Sequence, residues 1–122
     1  MVSPLDKFLA DRCGLTDVQI ETVELQKMVN RREISARKAA SMRRPEGVTV
    51  GAYHRVLVQA KTNIEEAIFT LLMSNRLGLL RIEDFRRLLD LMSRTPPDLD
   101  EAECSEVMSL VDVLVERIVT LS

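Results

Sequence analysis

An all-α fold is predicted by three features of this sequence. Apolar residues recur at three- and four-residue spacing through most of the chain, the period of a helix with one buried face. Helix-start residues precede these runs, and Pro or Gly punctuates the gaps between them. Aromatic residues make up only 3% of the 122 residues and Trp is absent, so the core must come from Leu, Val, Ile, Met and Ala, a set suited to helix–helix packing. No run alternates as a strand would, apart from the short piece Gly47–Val50.

Taken in order, Leu5 to Cys13 fits a short helix with Leu5, Phe8 and Leu9 on one side, ended by Gly14. Thr16-Asp17-Val18-Gln19 has the form of a capping box: a hydroxyl for a free backbone N–H and a glutamine that reaches back. The helix it opens has an apolar stripe of Val18, Ile20, Val23, Leu25, Met28 and Val29, and closes at Asn30-Arg31-Arg32. Positive charge there meets the negative end of the helix dipole. Ile34 to Met42 forms a second helix capped by Ser35, and the small side chains of Ala36, Ala39 and Ala40 permit close approach of a neighbour. Arg43 to Gly47 is a turn, because Pro45 cannot continue a helix and Gly47 tolerates positive φ.

Thr49 caps the third helix, which runs from Val50 to Lys61 and buries Val50, Tyr53 or Val56, Leu57 and Ala60. Helical spacing continues from Asn63 to Asn75, with Ile64, Ala67, Ile68, Leu71 and Leu72 at core positions and Gly78 as the stop. Residues 82 to 94 form a further amphipathic helix with Ile82, Phe85, Leu88, Leu89 and Met92 inside. Thr95-Pro96-Pro97-Asp98 breaks the chain. The last helix, Leu99 to Leu121, is apolar nearly all round. Its residues Val107, Leu110, Val111, Leu114 and Ile118 are therefore expected to form a dimer interface. The whole is expected to be a single domain over 1–122, with a helix-turn-helix part at 15–77 and a dimerisation part at 78–122.

Composition excludes several classes. Cys13 and Cys104 lack the close Cys or His neighbour that a zinc site needs. They are read as reduced thiols, with a single bridge as the alternative, and a lone pair of cysteines is not a secreted disulfide scaffold. Met1-Val-Ser-Pro-Leu-Asp has no basic stretch followed by an apolar run, and no segment approaches the roughly 20 apolar residues of a membrane span. A cytoplasmic chain with no membrane partner is expected. His54 is the one histidine and has no sequence-local partner, and the four glycines are scattered, so neither a catalytic triad nor a phosphate loop is expected. The acidic run from Asp98 to Glu103 is the first turn of a helix, not a calcium loop. The expectation is a non-enzyme with no cofactor and no metal.

Charge placement is more informative than the net charge of −2. Between Lys27 and Lys61 stand nine basic residues and two acidic ones, a net of +7, while the remainder carries −9. Such segregation gives an acidic chain one positive face. A short helix, a turn and a helix with a positive face is what a chain needs to lay a helix in the DNA major groove. On that reading Gly51, Ala52, His54, Arg55 and Gln59 meet bases, and Arg37, Lys38, Arg43, Arg44, Thr49 and Lys61 meet phosphates.

Leu15 to Ile64 also resembles the helix-turn-helix of the archaeal Tfx type, which is similar to region four of bacterial sigma factors and to LuxR-type output domains. The residues that carry the resemblance are Leu15-Thr16, Gln19, Val23 and Leu25, then Ala39-Ala40, then Thr49-Val50-Gly51-Ala52. Ala60-Lys61-Thr62-Asn63-Ile64-Glu65-Glu66-Ala67 looks like the family's continuation, an Ala-Arg pair leading into an Asn-Ile-Glu segment. The turn between Met42 and Thr49 is about three residues longer than the family's tight turn. The resemblance implies sequence-specific binding of double-stranded DNA by a homodimeric transcriptional regulator, with recognition helices about 34 Å apart. The competing reading is a helical adaptor that docks on RNA polymerase or other transcription machinery without touching DNA. A regulator with a small molecule held between C-terminal helices would need polar anchors that this stretch lacks.

Overall fold

The computed structural model describes residues 3–121 as six helices: α1 (Pro4–Arg12), α2 (Asp17–Asn30), α3 (Ala36–Met42), α4 (Val50–Arg76), α5 (Ile82–Arg94) and α6 (Glu101–Ile118). Met1, Val2 and Ser122, included in the expected domain 1–122, lie outside the described residues, so part of the N-terminal stretch read for a signal does too. Among the described residues the only strand-like pairing is an isolated antiparallel bridge between Leu80 and Val119, and Gly47–Val50 forms no strand. No described helix is long and apolar enough to cross a membrane.

The chain divides into two compact units, Cys13–Ile68 and Met1–Arg12 with Phe69–Ser122. This differs from the expected boundary after residue 77. The division falls inside α4, which runs unbroken through Thr62-Asn63, and α1 belongs with the C-terminal helices because it packs against α6.

The unit Cys13–Ile68 is built on α2, α3 and the first two-thirds of α4. The capping box forms as the sequence requires: Gln19 N–H donates to Thr16 Oγ1 and Thr16 N–H to Gln19 Oε1, each at 3.1 Å. Ser35 accepts from Lys38 N–H at the start of α3, and Thr49 accepts from Ala52 N–H at the start of α4, again at 3.1 Å. The core is Leu25, Ala39, Ala40 and Tyr53, with Met28, Val29, Ile34, Val48 and Leu57 packed against it. The alanines let α3 lie close to its neighbours, and Tyr53 fills the space they leave. Its phenol donates to Gln26 Oε1 at 2.8 Å, so the buried hydroxyl is satisfied.

The buried stripe of α2 is not the one its apolar spacing implies. Gln19 and Thr22 are buried, whereas Val18 is exposed. Both polar residues are satisfied: Gln19 by the cap and by Asn63 Nδ2 at 3.1 Å, Thr22 by Val18 O at 2.8 Å and by Arg43. Val50 is likewise exposed, so the buried face of α4 is carried by Tyr53 and Ala60.

In the other unit α5 and α6 pack on each other and α1 packs on α6. Leu5, Cys104, Val111 and Ile118 are buried. Asp84 is buried as well, held by Arg87 Nη1 at 3.3 Å and Arg117 Nη2 at 3.5 Å. Asp100 caps α6 by accepting from Glu103 N–H at 2.8 Å, which places the helix start two residues later than expected. Gly78 takes positive φ after α4, as its position as a stop requires. Val111 and Ile118 correct the expected dimer face, because both pack within their own chain, and Val107 and Leu114 are half-buried. Leu110 alone of those five is exposed.

Candidate nucleic-acid interface

The first three turns of α4 are held from behind. Tyr53 is fully buried against α2 and α3, Ala60 is fully buried too, and this fixes which side of the helix looks outward. Helical spacing then turns Gly51, His54, Arg55, Val58 and Gln59 outward, and all five are exposed. Ala52 is half-buried, and Val58 is 63% exposed. The His54 ring stands edge-on to Tyr53 with centroids 5.7 Å apart. Gly51 has no atom within 4 Å of where a Cβ would sit, so the start of α4 is open on that side.

Arg37, Lys38 and Lys61 are exposed, as is Thr49, whose oxygen already accepts from Ala52 and whose proton remains free to donate outward. These residues and Arg55 all belong to the unit Cys13–Ile68.

Arg43 is a correction. It was expected on the surface, yet its side chain is only 7% exposed. Nη1 donates to Thr22 Oγ1 at 3.0 Å, and Nε lies 3.2 Å from Glu21 Oε1 outside hydrogen-bond geometry. Arg44 is exposed but engaged, its backbone N–H donating to Glu21 Oε1 at 2.9 Å and its Nε to Glu21 Oε2 at 2.6 Å. Burial pushes the Glu21 carboxyl up, but the hydrogen bonds and charge of Arg44, with the charge of Arg43, hold it below its ordinary value. The same contact raises Arg44 further above its ordinary value. Two of the nine basic residues therefore tie the turn to α2. Arg43 cannot reach a phosphate without leaving the interior, and Arg44 can do so only by sharing or leaving Glu21.

The turn is closed by backbone as well. Val48 N–H donates to Ala40 O at 2.9 Å and Gly47 N–H to Arg43 O. Gly47 has φ +80°, and a Cβ there would lie 2.8 Å from Ser41 O. The Arg44–Pro45 peptide bond is cis. Sequence reasoning missed Glu21 because its partners lie more than twenty residues away. Nothing local marks Glu21 among the three acids of α2, Asp17, Glu21 and Glu24.

Beside the outward face, Val23, Leu57, Val58, Lys61, Ile64 and Glu65 line an open apolar groove of about 380 Å³. No cluster of three or more His, Cys, Asp or Glu suited to a metal occurs among the described residues. Cys13 is exposed and Cys104 buried, and neither is in a disulfide. Comparison with protein families, curated proteins and solved structures finds no match for this chain.

Proposed function

We propose that the chain is a sequence-specific double-stranded DNA-binding regulator of transcription in which α4 enters the major groove through its N-terminal turns. The observation that carries this reading is the outward face of α4, where Gly51, His54, Arg55 and Gln59 are exposed on the side away from the buried Tyr53 and Ala60. A base-reading helix needs long polar side chains on an unobstructed side and a fixed orientation behind them. Arg55 and Gln59 lie four residues apart and so share one face, and the two residue types match guanine and adenine edges respectively.

Arg37, Lys38, Thr49 and Lys61 supply phosphate contacts in this reading, and Arg43 and Arg44 act indirectly by fixing the angle between α2 and the turn before α4. The likeness of Leu15–Ile64 to the Tfx helix-turn-helix points the same way. The test is selection from a random duplex pool followed by binding of single-base variants. Wild type enriches a defined site, and Arg55→Ala loses discrimination at one base pair by about 1–3 kcal/mol. A pool that never enriches, or enrichment indifferent to Arg55 and Gln59, rejects base reading by this face.

A further inference from the structure

Glu21 holds two arginines of unlike exposure. The side chain of Arg43 is 7% exposed and that of Arg44 is 85% exposed, while Glu21 itself is 17% exposed. Arg44 takes both carboxylate oxygens, Oε2 through its Nε and Oε1 through its backbone N–H. Arg43 is left the poorer contact. Its Nε is the one buried side-chain N or O atom without a hydrogen bond among the described residues. All three residues lie in the unit Cys13–Ile68.

We infer, resting on the reading of α4 as a duplex-binding helix, that Glu21 is an internal stand-in for a DNA phosphate and withholds the Arg44 guanidinium from the duplex. Carboxylate and phosphate offer a guanidinium fork the same kind of oxygen edge, so the two compete for one arginine. Arg44 stands in the turn that leads to Thr49 and the first turn of α4, next in sequence to the part of the chain that meets DNA in that reading. The other exposed cations given to phosphates, Arg37, Lys38 and Lys61, form no ion pair among the described residues. Arg44 alone of the exposed set is already occupied.

Loss of the Arg44 guanidinium from Glu21 disturbs little else. An ion pair with one partner this exposed is screened by water and salt and stabilises weakly. The backbone N–H of Arg44 can stay on Glu21 Oε1, so the turn keeps its tie to α2. With Oε2 released, the carboxylate is free to turn toward Arg43 Nε, 3.2 Å from Oε1, and give that donor the hydrogen bond it lacks. Arg43 has no such freedom, because its departure would strip the buried Thr22 hydroxyl of a partner. The consequence is a ceiling on sequence-independent affinity. Phosphate contacts strengthen binding to every duplex alike, and with Arg44 held one such contact is missing from wild type.

Binding to a random duplex across a salt series tests this, with thermal melts confirming that each variant is folded. Wild type and Arg44→Ala are expected to share one slope of log affinity against log salt. Glu21→Gln is expected to steepen that slope by about 1 and to tighten binding on the order of tenfold at ~0.1 M salt. Glu21→Gln with Arg44→Ala is expected to return to the wild-type slope. Glu24→Gln removes an exposed acid of α2 that belongs to no ion pair among the described residues, and is expected to leave the slope unchanged. Four results overturn the inference and leave the duplex reading standing: a Glu21→Gln slope no steeper than wild type, a gain that persists in the double variant, an equal gain from Glu24→Gln, or a slope lowered by about 1 in Arg44→Ala. Absence of duplex binding by every one of these proteins overturns both.

Discussion

The guanidinium of Arg43 donates to the hydroxyl of Thr22 across 3.0 Å in the interior of the Cys13–Ile68 unit. This bond joins the turn before α4 to the middle of α2. With Glu21 beside it, Arg43 is a structural cation, and that separates it from its basic neighbours.

Arg43→Ala should therefore destabilise the fold by roughly 1–3 kcal/mol, because it strips the buried Thr22 hydroxyl of a partner and leaves the half-buried Glu21 carboxylate to Arg44 alone. Arg37→Ala, on an exposed face, should change stability by less than about 0.5 kcal/mol. Urea denaturation followed by circular dichroism compares the two. Equal effects would show that Arg43 is not the clamp described.

Acid should loosen the same contact. The folded state holds Glu21 below its ordinary value of 4.5, so the unfolded chain binds the proton more readily. The stabilisation is fully present above 4.5 and is lost as pH falls through the lower folded value. The urea midpoint of wild type should thus fall more between about pH 6 and pH 3 than that of Glu21→Gln, which cannot titrate there. Parallel curves for the two proteins would contradict the assignment.

Two glycines should respond in opposite directions. Gly47→Ala meets both the positive φ and the 2.8 Å approach to Ser41 O, and should cost more than about 1 kcal/mol. Gly51→Ala lies inside α4 with open space around it, and should stabilise by about 0.5–1 kcal/mol through helix propensity. Thermal melts measure both. If Gly51→Ala is at once more stable and weaker on duplex, the start of α4 is a contact surface.

How much of this was legible in the sequence depends on the range of the interaction. Local signals read true: Thr16 with Gln19, Ser35, Thr49 and Gly78 each act within a few residues and mark an element end, and Gly47 takes positive φ inside the turn. Exposure of His54, Arg55 and Gln59 also followed from helical period once the buried side of α4 was known. Burial of Arg43 was not legible, since it depends on Glu21 and Thr22, more than twenty positions earlier. Apolar periodicity marked α6 as surplus, and Leu110, Val113 and Val115 are exposed there, but Val111 and Ile118 of the expected face pack at home. It placed Ile64, Ile68 and Leu72 of α4 in the core, where the structure leaves them exposed. Period reveals that a face is apolar, not which neighbour covers it.

The most direct test of the central claim is the salt dependence of duplex binding by wild type and Arg37→Ala. Four exposed residues, Arg37, Lys38, Arg55 and Lys61, can neutralise phosphates or meet bases. The logarithm of affinity should fall against the logarithm of salt with a slope of about −3 per copy, and Arg37→Ala should reduce that slope by about 1. Absent duplex binding, or affinity indifferent to salt and to Arg37, would contradict the account.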